Sequence, residues 1–396
     1  MKYKYIIIFV LLILSISLTG CFLFPPKDNT AEWTVMVYLD ADNDLESAGI
    51  DDINEMEMVG STSDVNIVVQ IDRIPGYDTS NSNWTNTRRY YITPDLDPYI
   101  INSQLINDLS EQNMGNTETL INFADWTVNN YPAKKYLLVI WNHGGGFRSS
   151  GLAKDIAWDD TNGGDKITMP ELEYAFSVIS TKMGKNIDIV GMDACYMAMI
   201  EVAYQIKDYA DILVTSEESE PNDGWPYDTI LGQLVSYPTV TSNQLAANIV
   251  DSYIFSYTVS DEVTQSAIDL SYTDTLADQL SNMALAIMND TLTPANNYIN
   301  AANSSQYYGD SDFIDLYDFC NNIITYSNNT DVKSIALSIQ QTLNTTIINS
   351  GYIGASLNSS RGLSIYFPYD PYDSYYNNTN FAQDTFWDEM LLFLGL

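Results

Sequence analysis

The chain has 396 residues, and its 52 acidic side chains outnumber 16 lysines and arginines, which gives a formal net charge of −36 at pH 7. A protein of this charge repels the phosphate backbone of DNA and RNA, so the composition excludes nucleic-acid binding. The same charge would attract cationic substrates, but it would equally keep an exported protein soluble, so charge alone does not identify the substrate.

Residues 1–21 are predicted to be a targeting segment rather than part of the fold. Two lysines begin it, an apolar stretch covers residues 6–18, and it ends in Leu-Thr-Gly-Cys. That tetrapeptide resembles the lipobox of bacterial lipoproteins, in which the signal is cut before the cysteine and Cys21 becomes the lipid-carrying first residue. The alternative is an uncleaved anchor helix, but the apolar stretch is shorter than the ~20 residues that span a membrane. We therefore expect an exported protein, lipid-anchored at the outer face of a prokaryotic cell membrane or outer membrane, with residues 22–32 as a short tether.

Apolar runs of strand length alternate with segments of helical spacing along the rest of the chain. The predicted strands are 33–39, 65–71, 136–141, 187–192, 212–215, 266–270 and 363–367. The predicted helices between many of them are 45–58, 117–129, 169–183, 197–207 and 245–256. This alternation predicts an α/β fold around a mostly parallel sheet. The strands are apolar almost throughout, which indicates that helices cover both faces of the sheet.

Residues 289–352 carry many Asn, Ser and Thr and lack obvious strands, so we expect a helical insertion there. Cys320 falls on a predicted helix over 313–324 and is interpreted as a buried apolar thiol. If Cys21 carries a lipid, only Cys195 and Cys320 could pair, which is a poor disulfide framework for an exported protein.

One histidine and one cysteine each follow a predicted strand. His143, the only histidine, comes just after the run 136–141 and precedes three glycines, and Cys195 comes just after the run 187–192. If the two strands are parallel neighbours, both side chains meet at the carboxyl edge of the sheet, where α/β proteins place their sites. A thiol beside an imidazole is what a cysteine nucleophile needs. A turn histidine and a buried structural cysteine are the alternative, and from these residues alone the two interpretations balance.

Metal-dependent hydrolysis is disfavoured, because one histidine and one cysteine do not supply the usual zinc ligand set. Residues 196–206 are predicted to form a helix, which would place the Cys195 thiol at a helix amino end that favours thiolate. The amides of Gly144 and Cys195 are expected to bind the oxyanion of the reacting carbonyl. His143 would then protonate the leaving amine and activate water, so the chemistry would require no cofactor.

These motifs resemble those of the clostripain family of cysteine peptidases, which share a caspase-like fold. Six segments follow one another in the family's order, namely 33–46, 142–146, 193–197, 216–227, 266–270 and 362–368. Each is weak alone, but six in order over most of the chain are specific. The resemblance implies a caspase-like three-layer sandwich in residues 33–396. It also implies that Cys195 is the nucleophile and His143 its partner, in a dyad that needs no third member.

The resemblance further implies cleavage after arginine or lysine, with acidic side chains in the pocket that binds them. Asp193 matches the position two before the nucleophile, and Asp223 is the best match for a second pocket acid. Carboxylates there would hold a basic side chain through charge-assisted hydrogen bonds. The alternatives are a structural carboxylate in the strand-to-helix turn for Asp193 and an ordinary loop residue for Asp223.

Relatives in this family can be activated by cutting themselves between the histidine and cysteine motifs. Here that interval contains Arg148, Lys154 and Lys166 in a glycine-containing stretch that suits an accessible loop. Self-cleavage after one of them is therefore a hypothesis. A permanently single-chain enzyme is the alternative.

Some relatives also depend on calcium. Asp40, Asp42 and Asp44 alternate like an EF-hand loop, but Leu45 stands where that loop requires glycine, so an EF-hand is excluded. Other acid-rich positions are compatible with a calcium site without defining its ligands. They are Asp155, Asp159, Asp160 and Asp165.

The sequence thus predicts a surface-anchored, monomeric cysteine endopeptidase that acts on proteins or peptides containing arginine or lysine. A non-catalytic binding or adhesion lipoprotein on the same fold is the second hypothesis. It is disfavoured because a binding protein has no reason to keep both His143 and Cys195. A third hypothesis keeps the dyad but changes the specificity, which the pocket acids would reveal.

Overall fold

The computed structural model describes residues 30–148, 155–369 and 371–396. The predicted targeting segment, Cys21 and residues 22–29 of the tether lie outside these ranges, as does Lys154. The last two tether residues, Ala31 and Glu32, belong to the first strand. Residues Ala31–Leu396 form one folded unit. Within the described ranges, no helix combines the length and the apolar character needed to cross a membrane.

Thirteen strands occur in the described residues. They are β1 (Ala31–Ala41), β2 (Val65–Arg73), β3 (Arg88–Tyr91), β4 (Gln104–Asp108), β5 (Ala133–Trp141), β6 (Ile156–Asp159), β7 (Asp165–Ile167), β8 (Ile189–Asp193), β9 (Ile212–Thr215), β10 (Val263–Asp269), β11 (Phe313–Asp315), β12 (Ile347–Ile353) and β13 (Ser364–Tyr366). Nine of them form the central sheet in the order β12-β10-β9-β8-β5-β1-β2-β3-β4. The five central strands, from β9 to β2, are parallel, and the outer strands on each side are antiparallel. The sheet is therefore mostly parallel, as predicted.

Twelve α-helices accompany these strands in the described residues. They are α1 (Glu46–Glu57), α2 (Thr117–Asn130), α3 (Met169–Met183), α4 (Ile200–Ile206), α5 (Tyr227–Ser236), α6 (Ser242–Ser256), α7 (Thr273–Met288), α8 (Ala295–Asn303), α9 (Leu316–Tyr326), α10 (Thr330–Thr346), α11 (Asn380–Asp384) and α12 (Trp387–Leu394). Helices α1, α5 and α6 pack on one face of the sheet around one apolar core, and the other nine bury the opposite face around a second core. The architecture is the predicted three-layer α/β sandwich.

Residues 289–352 contain three helices, as expected, but also two strands that the sequence did not reveal. Strand β12 pairs with β10 at an edge of the central sheet, and β11 pairs with β13 in a separate two-stranded sheet. The expectation of a purely helical insertion is therefore wrong. Cys320 is buried on α9, which begins at Leu316 rather than at residue 313 because Phe313–Asp315 is extended. The predicted strand near 363–367 exists as β13, outside the central sheet.

The carboxyl ends of the parallel strands all lie at one edge of the sheet, and polar residues lie at or just beyond each of these ends. In spatial order from β9 to β2, the chain places there Glu220, Cys195, His143, Asp44 and Asp72. Crevices outside this edge are where open α/β sheets bind ligands. The fold therefore places the predicted catalytic residues at one edge of the central sheet.

Candidate active site

His143 lies in a loop that is fastened to the neighbouring strand. The Asn142 side-chain amide donates to the Asp40 carbonyl at 2.8 Å, which ties the end of β5 to β1. The imidazole Nε2 of His143 lies 2.8 Å from Oδ1 of Asp44, in the loop that follows β1. The imidazole is about a quarter exposed, at 26%. A carboxylate at this distance orients the ring and favours a protonated Nε2.

Cys195 lies in a turn after β8, and not at the start of a helix. Helix α4 begins only at Ile200, because residues 194–199 form a turn and a short extended stretch. The left-handed φ of 62° at Tyr196 bends the chain directly after the cysteine. The expected helix-dipole stabilisation of the thiolate is therefore wrong. The Glu220 N–H donates to Sγ at 3.3 Å, and the thiol donates to the Glu220 carbonyl oxygen at 3.9 Å.

The Cys195 thiol is mostly buried, and this burial raises its pKa above the ordinary value. The Glu220 amide counteracts the shift, whereas the nearby carboxylates of Glu218 and Asp193 reinforce it. At neutral pH such a thiol stays protonated unless a base takes the proton. An imidazole beside it would supply that base.

His143 and Cys195 line one cavity of about 230 Å³, which we call the active-site cavity. Their strands are adjacent, and Trp141 lies opposite Asp193 in the β5/β8 register. His143 and Cys195 therefore each lie two residues after a position of this pair. The structure thus brings the imidazole and the thiol to one cavity at the ends of these strands.

The backbone of Gly144 packs directly against the backbone of Cys195. A Cβ atom built on Gly144 would lie 2.4 Å from the Cys195 carbonyl oxygen and 3.0 Å from its nitrogen. Only glycine fits this approach. The two predicted oxyanion-binding residues are thus brought side by side.

Asp193 also lines the active-site cavity, and it is only 5% exposed. Its Oδ2 accepts hydrogen bonds from the Tyr227 hydroxyl at 2.9 Å and the Trp225 amide at 3.4 Å. Burial raises the pKa of Asp193 to about 6, against the lowering effect of these donors. The carboxyl is held by the loop after β9 and faces the cavity that contains the thiol.

Glu220 is a second acid in this cavity, and its role was not predicted from the sequence. Burial and the adjacent charge of Asp193 raise the pKa of Glu220 well above its ordinary value. Its Oε1 accepts from the Gln265 amide at 3.4 Å, and its Oε2 is buried without a hydrogen-bond donor among the described residues. The signal that could have identified Glu220 is its place just beyond β9, the strand next to β8.

Asp223 does not line the active-site cavity. It borders two neighbouring cavities, one with Asp51 and Asp52 and the other with Tyr257 and Asp261. The structure therefore brings together Asp193 and Glu220 near the thiol, and it leaves Asp223 farther along the same loop.

The basic residues proposed for self-cleavage have different surroundings. The guanidinium of Arg148 is hydrogen-bonded by the carboxylates of Asp310 and Asp312. Lys166 lies in β7, with its Nζ 5.0 Å from the centre of the Trp158 ring. Lys154 lies outside the described residues.

Four carboxylates form a separate cluster beyond the histidine loop, which we call the carboxylate cluster: Asp42, Asp72, Glu111 and Asp159. One oxygen from each lies within 4.8 Å of the others, and Glu111 alone is exposed. This spacing suits oxygen ligands around one calcium ion, which bind at roughly 2.3–2.6 Å. Asp42 and Asp159 were among the acidic positions that stood out in the sequence. Asp72 and Glu111 did not stand out, because they lie far from these two in the sequence and join them only in the fold.

Comparison with known proteins gives a consistent assignment. The sequence pattern of the clostripain family matches residues 37–392. Clostripain from Hathewaya histolytica is 27% identical over 413 aligned positions, which cover 89% of this chain and 78% of that protein.

The solved structures that share the fold include two C11 proteases. One is a secreted C11 cysteine protease from Bacteroides thetaiotaomicron in complex with an irreversible peptide inhibitor. It is 21% identical in sequence, the TM-score is 0.69, and the match covers 91% of this chain and 100% of that protease. The other is an inactive zymogen C11 protease from Parabacteroides distasonis, at 20% identity and a TM-score of 0.65, covering 91% and 98% of the two chains. With the match over nearly the whole folded unit, the chain belongs to the clostripain family and is a cysteine peptidase.

Proposed function

We propose that this peptidase cleaves peptide bonds after arginine or lysine, with Cys195 as nucleophile and His143 as its base. The observation that carries the proposal is the active-site cavity, which contains the thiol, the only imidazole of the chain and two buried carboxyl groups. A protein or peptide substrate is what the family acts on. The two carboxyl groups in the cavity would explain a preference for substrates with a basic side chain before the scissile bond.

The proposed first step transfers the thiol proton to His143. We assign the Nε2 proton to the hydrogen bond with Asp44, which leaves the basic lone pair of the neutral ring on Nδ1 to take the proton from Sγ. The thiolate then attacks the scissile carbonyl, and a carbon–sulfur bond forms. The amides of Gly144 and Cys195 would stabilise the negative oxygen of that intermediate.

The second half of the reaction uses the same imidazole. The imidazolium gives its proton to the leaving amine as the carbon–nitrogen bond breaks, which leaves a thioester on Cys195. His143 then accepts a proton from water as the water attacks the thioester, and the free carboxylic acid and the thiol are restored. The raised pKa of the thiol makes this base necessary at neutral pH.

We assign the binding of the basic side chain to Asp193 and Glu220. Burial and the charge of Asp193 raise the pKa of Glu220, and a guanidinium or ammonium that enters the cavity would favour the ionised form of both carboxyl groups and bind to them. Asp223 lies in the neighbouring cavities, so we assign it to substrate contacts farther from the thiol.

Self-cleavage in the interval between the two motifs is proposed after Lys154 or Lys166. Arg148 is the third basic residue there, but its side chain is paired with the carboxylates of Asp310 and Asp312 and would have to leave them to enter the active-site cavity. Fragment mass spectrometry of the wild-type chain and of its Cys195→Ala variant tests this assignment. New termini after Arg148 in the wild type would contradict it.

Calcium is proposed to bind the carboxylate cluster and to act on structure rather than on the chemical steps. Asp40 supports this, because its side chain is buried and its Oδ2 has no hydrogen-bond donor among the described residues. Asp40 lies opposite Asp72 in the β1/β2 register, so both side chains lie on the same face of the sheet. Buried carboxylates without a cation are costly, and a divalent ion would neutralise them.

Lipid anchoring through Cys21 at the outer face of the membrane is also a proposal, supported by the sequence Leu-Thr-Gly-Cys. Metabolic labelling with a fatty-acid analogue tests it. We expect labelled wild type and an unlabelled Cys21→Ser variant, and equal labelling of both would contradict the anchor.

The catalytic proposal is tested by covalent labelling with electrophilic peptide ketones that differ only in the residue next to the ketone. We expect the peptides ending in lysine or arginine to modify Cys195, identified by mass spectrometry, and the peptide ending in leucine to react much more slowly. Equal labelling by all peptides would contradict the assigned specificity. Absence of labelling would favour a binding or adhesion lipoprotein.

A further inference from the structure

The loop that carries His143 ends in a side chain held among three acidic residues. Arg148 pairs through Nη1 with Asp310 and through Nη2 with Asp312, and its Nε lies 3.9 Å from Oδ2 of Asp373. Its guanidinium also lies over the Phe313 ring, 5.2 Å from the ring centre. Only 17% of the Arg148 side chain is exposed, so these contacts are largely shielded from water. A planar guanidinium paired with carboxylates in this way has a fixed position and orientation.

The residues between His143 and Arg148 are equally constrained. Gly146 has a φ of 63°, and a Cβ atom there would lie 2.4 Å from Sδ of Met199. Phe147 is fully buried, and its ring packs edge-on against Tyr366 and Tyr376 with centres 4.9 and 5.0 Å away. The histidine loop, residues 142–148, is therefore anchored at its carboxyl end as well as at Asn142.

The segment that holds Arg148 also contacts the loop that carries the thiol. The Gly309 amide donates to the Glu218 carboxylate at 3.0 Å, and the Glu218 carbonyl accepts the Tyr196 amide at 3.3 Å. The Tyr196 ring, next to Cys195 in sequence, packs edge-on against Phe313 with centres 6.1 Å apart. One segment, residues 309–313, thus touches both the histidine loop and the cysteine loop.

We propose that Arg148 is a positioning residue, which holds the histidine loop against residues 309–313 and thereby sets the distance between the His143 imidazole and the Cys195 thiol. The proposal rests on the catalytic pair given under the proposed function. Arg148 does not touch the active-site cavity, so it would act through His143 and leave the binding of the basic side chain unchanged. A displacement of about 1 Å of a catalytic group costs on the order of a hundredfold in rate, so a small loop shift is measurable.

The test uses the Arg148→Lys variant in the chain from residue 27, which keeps the whole unit Ala31–Leu396. Lysine retains the positive charge but cannot bridge two carboxylates with one planar group. The readout is the rate at which iodoacetamide alkylates Cys195 across about pH 5 to 9, because that rate follows the thiolate fraction set by the imidazole. It does not require peptidase activity. Arg88→Lys is the matched control, since Arg88 also combines a carboxylate, Asp108, with an aromatic ring.

We expect alkylation of Cys195 at neutral pH to slow about tenfold in Arg148→Lys. Its pH profile should move toward that of His143→Ala, while Arg88→Lys behaves as wild type. An Arg148→Lys profile that coincides with wild type would overturn the positioning role. Asp310→Asn provides a second variant, which loosens the same contact and should shift the profile in the same direction. Peptide turnover is measured separately, so failure of the wild type to cleave basic peptides would count against the proposed function and not against the role of Arg148.

Discussion

The imidazole Nε2 of His143 lies 2.8 Å from Oδ1 of Asp44, although the two residues are separated by 99 positions in the sequence. They meet because β1 and β5 are parallel neighbours, with Leu39 opposite Trp141 in the register. Asp44 is 58% exposed, so solvent weakens its effect on the ring. The contact therefore supports a role for Asp44 as a third residue that assists His143 and Cys195 but is not essential.

Replacing Asp44 by asparagine is expected to reduce kcat by about fivefold, because an exposed pair of this kind contributes up to about 1 kcal/mol. Steady-state kinetics with an arginine peptide amide measure the effect. Asp208→Asn, on the far surface beside Lys207, is the matched control. A loss of several hundredfold would make Asp44 an essential catalytic residue instead.

The sequence was sufficient to predict the location of His143 and Cys195, because both follow long apolar strands whose direction is fixed by the α/β alternation. It was not sufficient to predict the backbone conformation directly after Cys195. Residues 196–206 have helical apolar spacing, yet the first part is pulled into a turn and an extended stretch by contacts with the β9 loop and with β13. The Ala198 amide, for example, donates to the Ser216 carbonyl at 2.9 Å. Tertiary hydrogen bonds of this kind leave no periodic signal.

The pocket acids illustrate the same limit. Asp193 was identifiable because it is fixed in sequence relative to Cys195, and it lines the active-site cavity. The loop after β9 holds several acids within a few residues, and which of them faces the cavity depends on the path of the loop. The structure puts Glu220 there, where its amide contacts the Cys195 sulfur, and puts Asp223 at the two neighbouring cavities.

Glu220→Gln should therefore impair cleavage after arginine and lysine more than Asp223→Asn does. Loss of one charge-assisted contact to a bound cation costs about 1.5–3 kcal/mol, or roughly 10- to 150-fold in kcat/KM. We expect most of the effect in KM, because the carboxyl binds the substrate side chain rather than the reacting carbonyl. Parallel kinetics of the two variants decide the question. A greater loss in Asp223→Asn would restore Asp223 as the second pocket acid.

The affinity for a small guanidinium competitor is expected to fall as the pH drops below about 6. Burial raises the pKa of Asp193 to about 6, so the carboxyl is ionised above that value and protonated below it. Only the ionised form attracts a cation, which gives the direction of the change. Inhibition constants measured across the acid range should show this loss of affinity below about pH 6 in the wild type. In Asp193→Asn we expect weaker inhibition that depends less on pH. An inhibition constant independent of pH in the wild type would contradict the assignment.

Calcium is expected to raise the thermal unfolding temperature of the chain. A ligand at a hundredfold excess over its Kd stabilises the folded state by about 2.7 kcal/mol. Asp72→Asn should abolish the shift, whereas Asp165→Asn, in the same region but outside the carboxylate cluster, should retain it. Terbium luminescence provides a second readout, since Trp158 adjoins Asp159 in β6 and can sensitise a bound ion. Absence of both the shift and the luminescence would exclude the site.

The most direct test of the account is hydrolysis of matched peptide amides ending in arginine, lysine, aspartate or leucine by the chain from residue 27 and by its Cys195→Ala variant. Both proteins are assayed with and without added calcium and after mild proteolytic nicking. The account predicts turnover of the arginine and lysine peptides by the wild type and none by the variant. Turnover that survives in Cys195→Ala, or a wild type that cleaves none of the peptides under any of these conditions, would contradict it.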